Sequence, residues 1–139
     1  MTLAEDPRQK EMAGMQYALQ LYQERYESMT TGITRLMEEV SSLRDVETAL
    51  SKLPDSGGKR AMINAGMGFM LDAKVAEART VTVAIGGGIL AEKSVEDAKA
   101  IAAGRISARE EALKKLMSER KEIERAMYDL SARMQEMLA

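Results

Sequence analysis

The residues with the most chemical appearance are two glycine runs, two carboxylate pairs and four tyrosines. Gly86-Gly87-Gly88 invites comparison with a phosphate-cradling loop. A P-loop follows its last glycine with Lys and then Ser or Thr, and that pair is missing here. The run is read as a hairpin turn. Gly66-Met67-Gly68 is also read as a turn, because no βαβ unit follows it. Glu38-Glu39 and Glu110-Glu111 resemble acid–base pairs, but adjacent helical positions diverge by about 100°. They are read as parts of a solvated face. Tyr17, Tyr22, Tyr26 and Tyr128 could stack on a ligand, yet their spacing suits core or rim packing in a coiled coil. The chain has no His and no Cys. It therefore lacks the usual neutral-pH acid–base group, the commonest metal ligand and any thiolate. These residues point away from an enzyme. No catalytic residue, metal site or cofactor is expected.

Methionine is the residue type that remains, with 12 copies in 139 residues. Its flexible, polarizable thioether fits many apolar surfaces, as a non-specific binder of polypeptide requires. Apolar residues crowd both ends of the chain: Met1, Leu3, Met12, Met15 and Leu19, then Met127, Leu130, Met134, Met137 and Leu138. One reading makes these a sticky tip that captures client polypeptide. The other makes them filling for a helical seam. Met15 and Met134 sit squarely in the seam. Met12, Met137 and Leu138 are expected to be partly exposed, because fraying ends cannot hold a seam closed. The two readings are compatible, since a seam that opens at its end exposes its own lining.

Two long helices must position those residues. Met12, Met15, Leu19, Tyr22, Tyr26, Met29, Ile33, Leu36, Val40 and Leu43 are spaced alternately three and four apart, and Leu50 follows after Glu47 takes one seam position. Ile106, Leu113, Leu116, Ile123, Met127, Leu130, Met134 and Met137 keep the same seven-residue frame. A sustained heptad is a helix whose apolar stripe faces another helix. Two such stripes separated by an insert imply a chain folded back into an antiparallel coiled coil, each helix about 65–70 Å long. Pairing in which Tyr26 meets Ile123, Met29 meets Arg120, Ile33 meets Leu116 and Val40 meets Arg109 matches the layers throughout. The Arg layers are weak, and these side chains are expected to lay their methylenes on the seam and keep their charge wet. Pro54 and Asp55-Ser56-Gly57-Gly58 stop the first helix. Ser94 caps the second, with Asp97 three residues on.

Between the helices the period changes. Arg60–Ala65, Phe69–Val75, Thr80–Ile85 and Ile89–Glu92 read as strands in two hairpins. A lone hairpin is unstable in water and two still expose edges, so these strands should pair with those of other subunits. Ile63, Phe69, Leu71, Val81, Val83, Ile85 and Ile89 are the residues expected at that oligomeric interface. The domains are therefore expected as a helix over 6–53, a double-hairpin oligomerisation body over 54–93 and a second helix over 94–138. The fold class is mostly α with a small β insert. A net charge of −2 and the absence of a basic stripe argue against nucleic acid or anionic membrane as a partner. No apolar run reaches membrane-spanning length and no signal sequence is evident. A reducing cytoplasm suits the lack of cysteine.

This order of elements resembles the prefoldin family, and within it the archaeal alpha-type subunit. The insert carries the match: Ala65-Gly66-Met67-Gly68-Phe69, then Val81-Thr82-Val83-Ala84-Ile85-Gly86-Gly87-Gly88, then Ala91-Glu92-Lys93-Ser94-Val95-Glu96-Asp97-Ala98. Two hairpins are similar to the alpha type, whereas the beta type has one. Ile63-Asn64-Ala65 departs from relatives, which often carry a more apolar or proline-containing stretch there. The resemblance implies a hexamer of two alpha-type and four beta-type subunits, with hairpins closed into an oligomeric β-barrel body. It further implies an ATP-independent chaperone (a holdase). Such a subunit captures non-native proteins at the coiled-coil tips and passes them to a group II chaperonin. The competing expectation is a structural coiled-coil tether or assembly subunit that binds no client.

Overall fold

A computed structural model describes residues 6–76 and 79–139. Two helices flank four strands: α1 (Pro7–Lys52), β1 (Arg60–Gly66), β2 (Phe69–Lys74), β3 (Thr80–Gly86), β4 (Ile89–Ser94) and α2 (Val95–Leu138). The chain divides into two compact units. One holds the described residues up to Glu38 with Glu110–Ala139, and the other holds Glu39–Arg109.

In the first unit, α1 begins where local chemistry allows. The Arg8 backbone N–H donates to Asp6 Oδ1 at 3.1 Å, and Pro7 supplies the preset φ of a first helical position. The heptad positions face inward. Met15, Met29, Ile33 and Ile123 are buried, and the rest of the seam in this unit is half-buried. No side chain of the described residues is fully buried, because a two-helix seam leaves every layer close to water. The chain direction reverses between partners, so the helices are antiparallel. Tyr26 Oη donates to Glu124 Oε1 at 3.1 Å, and Arg120 Nη1 donates to Thr30 Oγ1 at 3.3 Å. A Cβ added at Gly32 would lie 3.5 Å from Leu116 Cδ1. Each contact falls within one residue of the pairing expected from the heptads.

The expectation for the Arg layers needs refinement. Arg120 does not simply reach for water: besides Thr30, its guanidinium lies 5.6 Å from the centre of the Tyr26 ring. Arg109, in the second unit, donates from Nε to Glu39 Oε2 at 2.8 Å. Both arginines are half-buried and both find partners on the facing helix. Such polar layers fix register in coiled coils.

In the second unit, α1 tightens into a 3₁₀ turn over Leu53–Asp55. The Ser56 N–H donates to Leu53 O and its hydroxyl to Lys52 O, which satisfies carbonyls left over at the helix end. At the start of α2, Ser94 Oγ accepts from the Asp97 N–H at 3.1 Å, the cap expected from sequence.

The strands form two separate two-stranded antiparallel sheets, β1–β2 and β3–β4. This one chain closes no barrel among its described residues. The hairpins share one build, offset by twenty residues: Arg60 pairs with Lys74 as Thr80 pairs with Ser94, and the register slips before Gly66 as it does before Gly86. Both loops have two residues at positive φ, 52° and 85° at Met67 and Gly68, 59° and 75° at Gly87 and Gly88. That backbone matches the twist of the flanking strands. A polar cross-link recurs at the same place, Arg60 to Asp72 at 3.0 Å and Thr80 to Glu92 at 2.9 Å.

Candidate functional site

The two hairpins differ in what covers them. Val81 and Val83 point toward a cluster of Leu50, Ala98 and Ala102, with Leu53 beside it. Arg105 Nη2 donates to Ala84 O at 2.7 Å and pins β3 to α2. The β3–β4 hairpin is therefore seated on its own helices. The β1–β2 hairpin has only Ala61 and Ala73 half-buried along its strands. Met62, Ile63, Met67, Phe69, Met70 and Leu71 are all exposed, Phe69 by 70% and Met67 by 98%. Cross-strand pairing puts Ile63 opposite Leu71 on one face, while Met62 and Met70 lie on the other. The Ile63–Leu71 face is thus apolar and wet, which suits an interaction surface, whereas the other face sets Met62 and Met70 among Arg60, Asn64, Asp72 and Lys74.

Of the residues expected at an oligomeric interface, Ile63, Phe69, Leu71, Ile85 and Ile89 are exposed. Val81 and Val83 are half-buried against the chain's own cluster, so part of their surface is already used. Sequence reasoning missed Met62, Met70 and Leu90, which are also exposed on the strands. Strand alternation did not mark them, because Met62 and Met70 share a face with Arg60, Asn64, Asp72 and Lys74, and Leu90 shares one with Thr80, Thr82, Glu92 and Ser94.

At the helix ends, the expected tip residues separate by depth. Met15 is buried; Met12, Leu19, Met127, Leu130, Met134 and Met137 are half-buried; Leu138 is 79% exposed. Met1 and Leu3 lie outside the described residues. An open cleft of about 340 Å³ is lined by Asp6, Arg8, Gln9, Met12, Ala13, Gln16, Met137 and Leu138. Sequence reasoning did not single out Arg8, whose guanidinium donates from Nη2 to Met137 O at 3.0 Å. Tyr17 and Tyr128 stand exposed on the flanks, and Tyr22 and Tyr26 lie half-buried in the seam.

Nothing in this geometry gathers reacting groups. Among the described residues, no cluster of His, Cys, Asp or Glu is suited to hold a metal ion, and no helix is long and apolar enough to cross a membrane. The surfaces instead define a class: a helix-pair protein that carries two separate β-hairpins with exposed apolar side chains. The particular family follows from comparison. Residues 22–139 match the family described as Prefoldin subunit, and the chain belongs to the prefoldin family. Its members are chaperone subunits rather than enzymes, and they form oligomers with other prefoldin subunits. Among solved structures, the chain is similar to filamentous PFD from Methanocaldococcus jannaschii, seen by cryo-EM. Identity is 27%, the match covers 88% of this chain and 96% of that one, and the TM-score is 0.56. No curated protein matches the chain.

Proposed function

We propose that this chain is an alpha-type, ATP-independent holdase subunit, working in an archaeal cytoplasm. It captures non-native protein at its helix ends and delivers it to a group II chaperonin. In this reading two copies join four beta-type subunits, and their hairpins close a β-barrel body. The observation that carries the reading is the distribution of exposed apolar side chains. One set lies on the hairpins and calls for neighbouring strands. The other lies at the helix ends, where Leu138 is exposed beside half-buried Met12 and Met137. Several weak apolar tips held by one body bind a client with useful avidity. Removing residues 1–14 or 128–139 should leave the assembly intact and abolish its suppression of client aggregation. Full protection by the truncated assembly would defeat the tip reading. Replacing Met12, Met134 and Met137 with Glu separates a holdase from a tether, since a tether should lose stability alone.

A second reading has its own support. The similar Methanocaldococcus jannaschii protein is filamentous, and the two hairpins here share one build. Like hairpins at two places on one chain suit head-to-tail growth of a single subunit type. Mass measurement decides between them: a discrete 2:4 complex with a beta-type subunit favours the hexamer, and an open-ended series of masses from this chain alone favours the filament.

A further inference from the structure

The ends of both helices meet at one hydrogen bond, and that bond divides the tip surface. The last carbonyls of a helix lack donors of their own, and Arg8 supplies one to Met137 O at 3.0 Å. Asp6 holds the backbone from which Arg8 reaches, through the Arg8 N–H at 3.1 Å. A cleft opens on each side of the contact. The first, about 340 Å³, contains Met12, Ala13 and Leu138; the second, about 300 Å³, contains Met15 with Glu11, Arg133 and Glu136. Arg8 and Met137 line both clefts, so together they form the wall between them.

We propose that Arg8 is a latch on the client-binding tip. While it is closed, Met12 and Met15 belong to separate small clefts and Met137 is held in the wall. Its release frees the last turn of α2, joins the clefts and brings Met12, Met15 and Met137 onto one apolar surface. The ligand for that surface is an apolar segment of a non-native polypeptide, whose varied side chains the flexible thioethers can follow. This inference rests on the tip reading given above and adds its regulation. The latch is weak by design of its surroundings: the bond is exposed to water, and an exposed hydrogen bond shifts an opening equilibrium by about two- to tenfold.

The test uses the full chain in its assembled form and a permanently unfolded probe, reduced and carboxymethylated α-lactalbumin carrying a fluorophore. Arg8→Ala should tighten probe binding by about two- to tenfold. Amide exchange over residues 130–138 should speed up by a similar factor, while exchange near Ile106 stays unchanged. Arg125→Ala removes the same charge from an exposed site elsewhere on α2 and should leave probe affinity alone. Unchanged or weaker binding by Arg8→Ala would overturn the latch, as would equal tightening by Arg125→Ala. Deletion of residues 128–139 separates the two levels. If the deletion abolishes binding while Arg8→Ala does nothing, the latch is wrong and the tip reading stands; if the deletion has no effect, the tip reading itself fails.

Discussion

Replacing Gly32 with Ala offers a quantitative check on the packing of the helix pair. Gly32 lies inside α1 and is half-buried against α2. The new Cβ would sit 3.5 Å from Leu116 Cδ1, an ordinary van der Waals distance, so nothing has to move. The substitution removes the helix-interior penalty of glycine, about 1 kcal/mol. Burying one more methyl adds up to about 0.8 kcal/mol. Gly104, inside α2, is the natural control, because a Cβ there meets nothing within 4 Å. Gly104→Ala should therefore gain the propensity part alone, about 1 kcal/mol. Both variants should raise the melting temperature by about 2–6 °C, with Gly32→Ala equal to or above Gly104→Ala. The assay is thermal unfolding by far-ultraviolet circular dichroism at one fixed protein concentration, since association shifts the midpoint by mass action. A loss of stability in Gly32→Ala beside a gain in Gly104→Ala would refute the contact with Leu116, and with it the register.

Three further predictions concern other elements. In the Glu39–Arg109 pair the arginine is 33% and the glutamate 41% exposed, so its double-mutant coupling should be below about 1 kcal/mol and should shrink in high salt; a larger coupling that ignores salt would argue for a drier site. Met67 stands at φ 52°, a conformation costly for a residue with a Cβ. Met67→Asn should stabilise the hairpin by about 0.5–1 kcal/mol, read as a rise in the denaturant midpoint, and a fall would show that the Met67 side chain has a partner. Phe69→Asp should leave helix content unchanged by circular dichroism and reduce assembled mass in ultracentrifugation. An unaltered mass would remove the β1–β2 hairpin from the interface.

The sequence made some of this plain and hid the rest, for physical reasons. Heptad spacing is a local property that repeats many times, so α1, α2 and their pairing within one residue were all legible. The turns were legible from the glycines at Gly66, Gly68 and Gly86–Gly88, all at positive φ, although Met67 also takes a left-handed position. Ser94 was legible as a cap because its acceptor and the Asp97 donor lie three residues apart. The unequal treatment of the two hairpins was not. It depends on Arg105 reaching Ala84 and on Val81 and Val83 meeting Leu50 and Ala98, contacts that span long stretches of chain and have no periodic signature. The partners of Arg109 and Arg120 were hidden for the same reason, since an Arg in a seam position reads only as a weak layer until the facing helix is in place. Arg8 was the least legible, because its acceptor is a backbone carbonyl at Met137, and every residue has one.

The shared build of the two hairpins has a consequence for how large an assembly can become. A subunit with one such hairpin can end a chain of contacts, while a subunit with two can continue it. On the filament reading proposed above, this chain would have a functionality of two in the language of polymer chemistry, and a single-hairpin partner would act as a stopper. The ratio of the two kinds of subunit in a mixture then sets the mean size of the product, much as a monofunctional reagent sets the length of a condensation polymer.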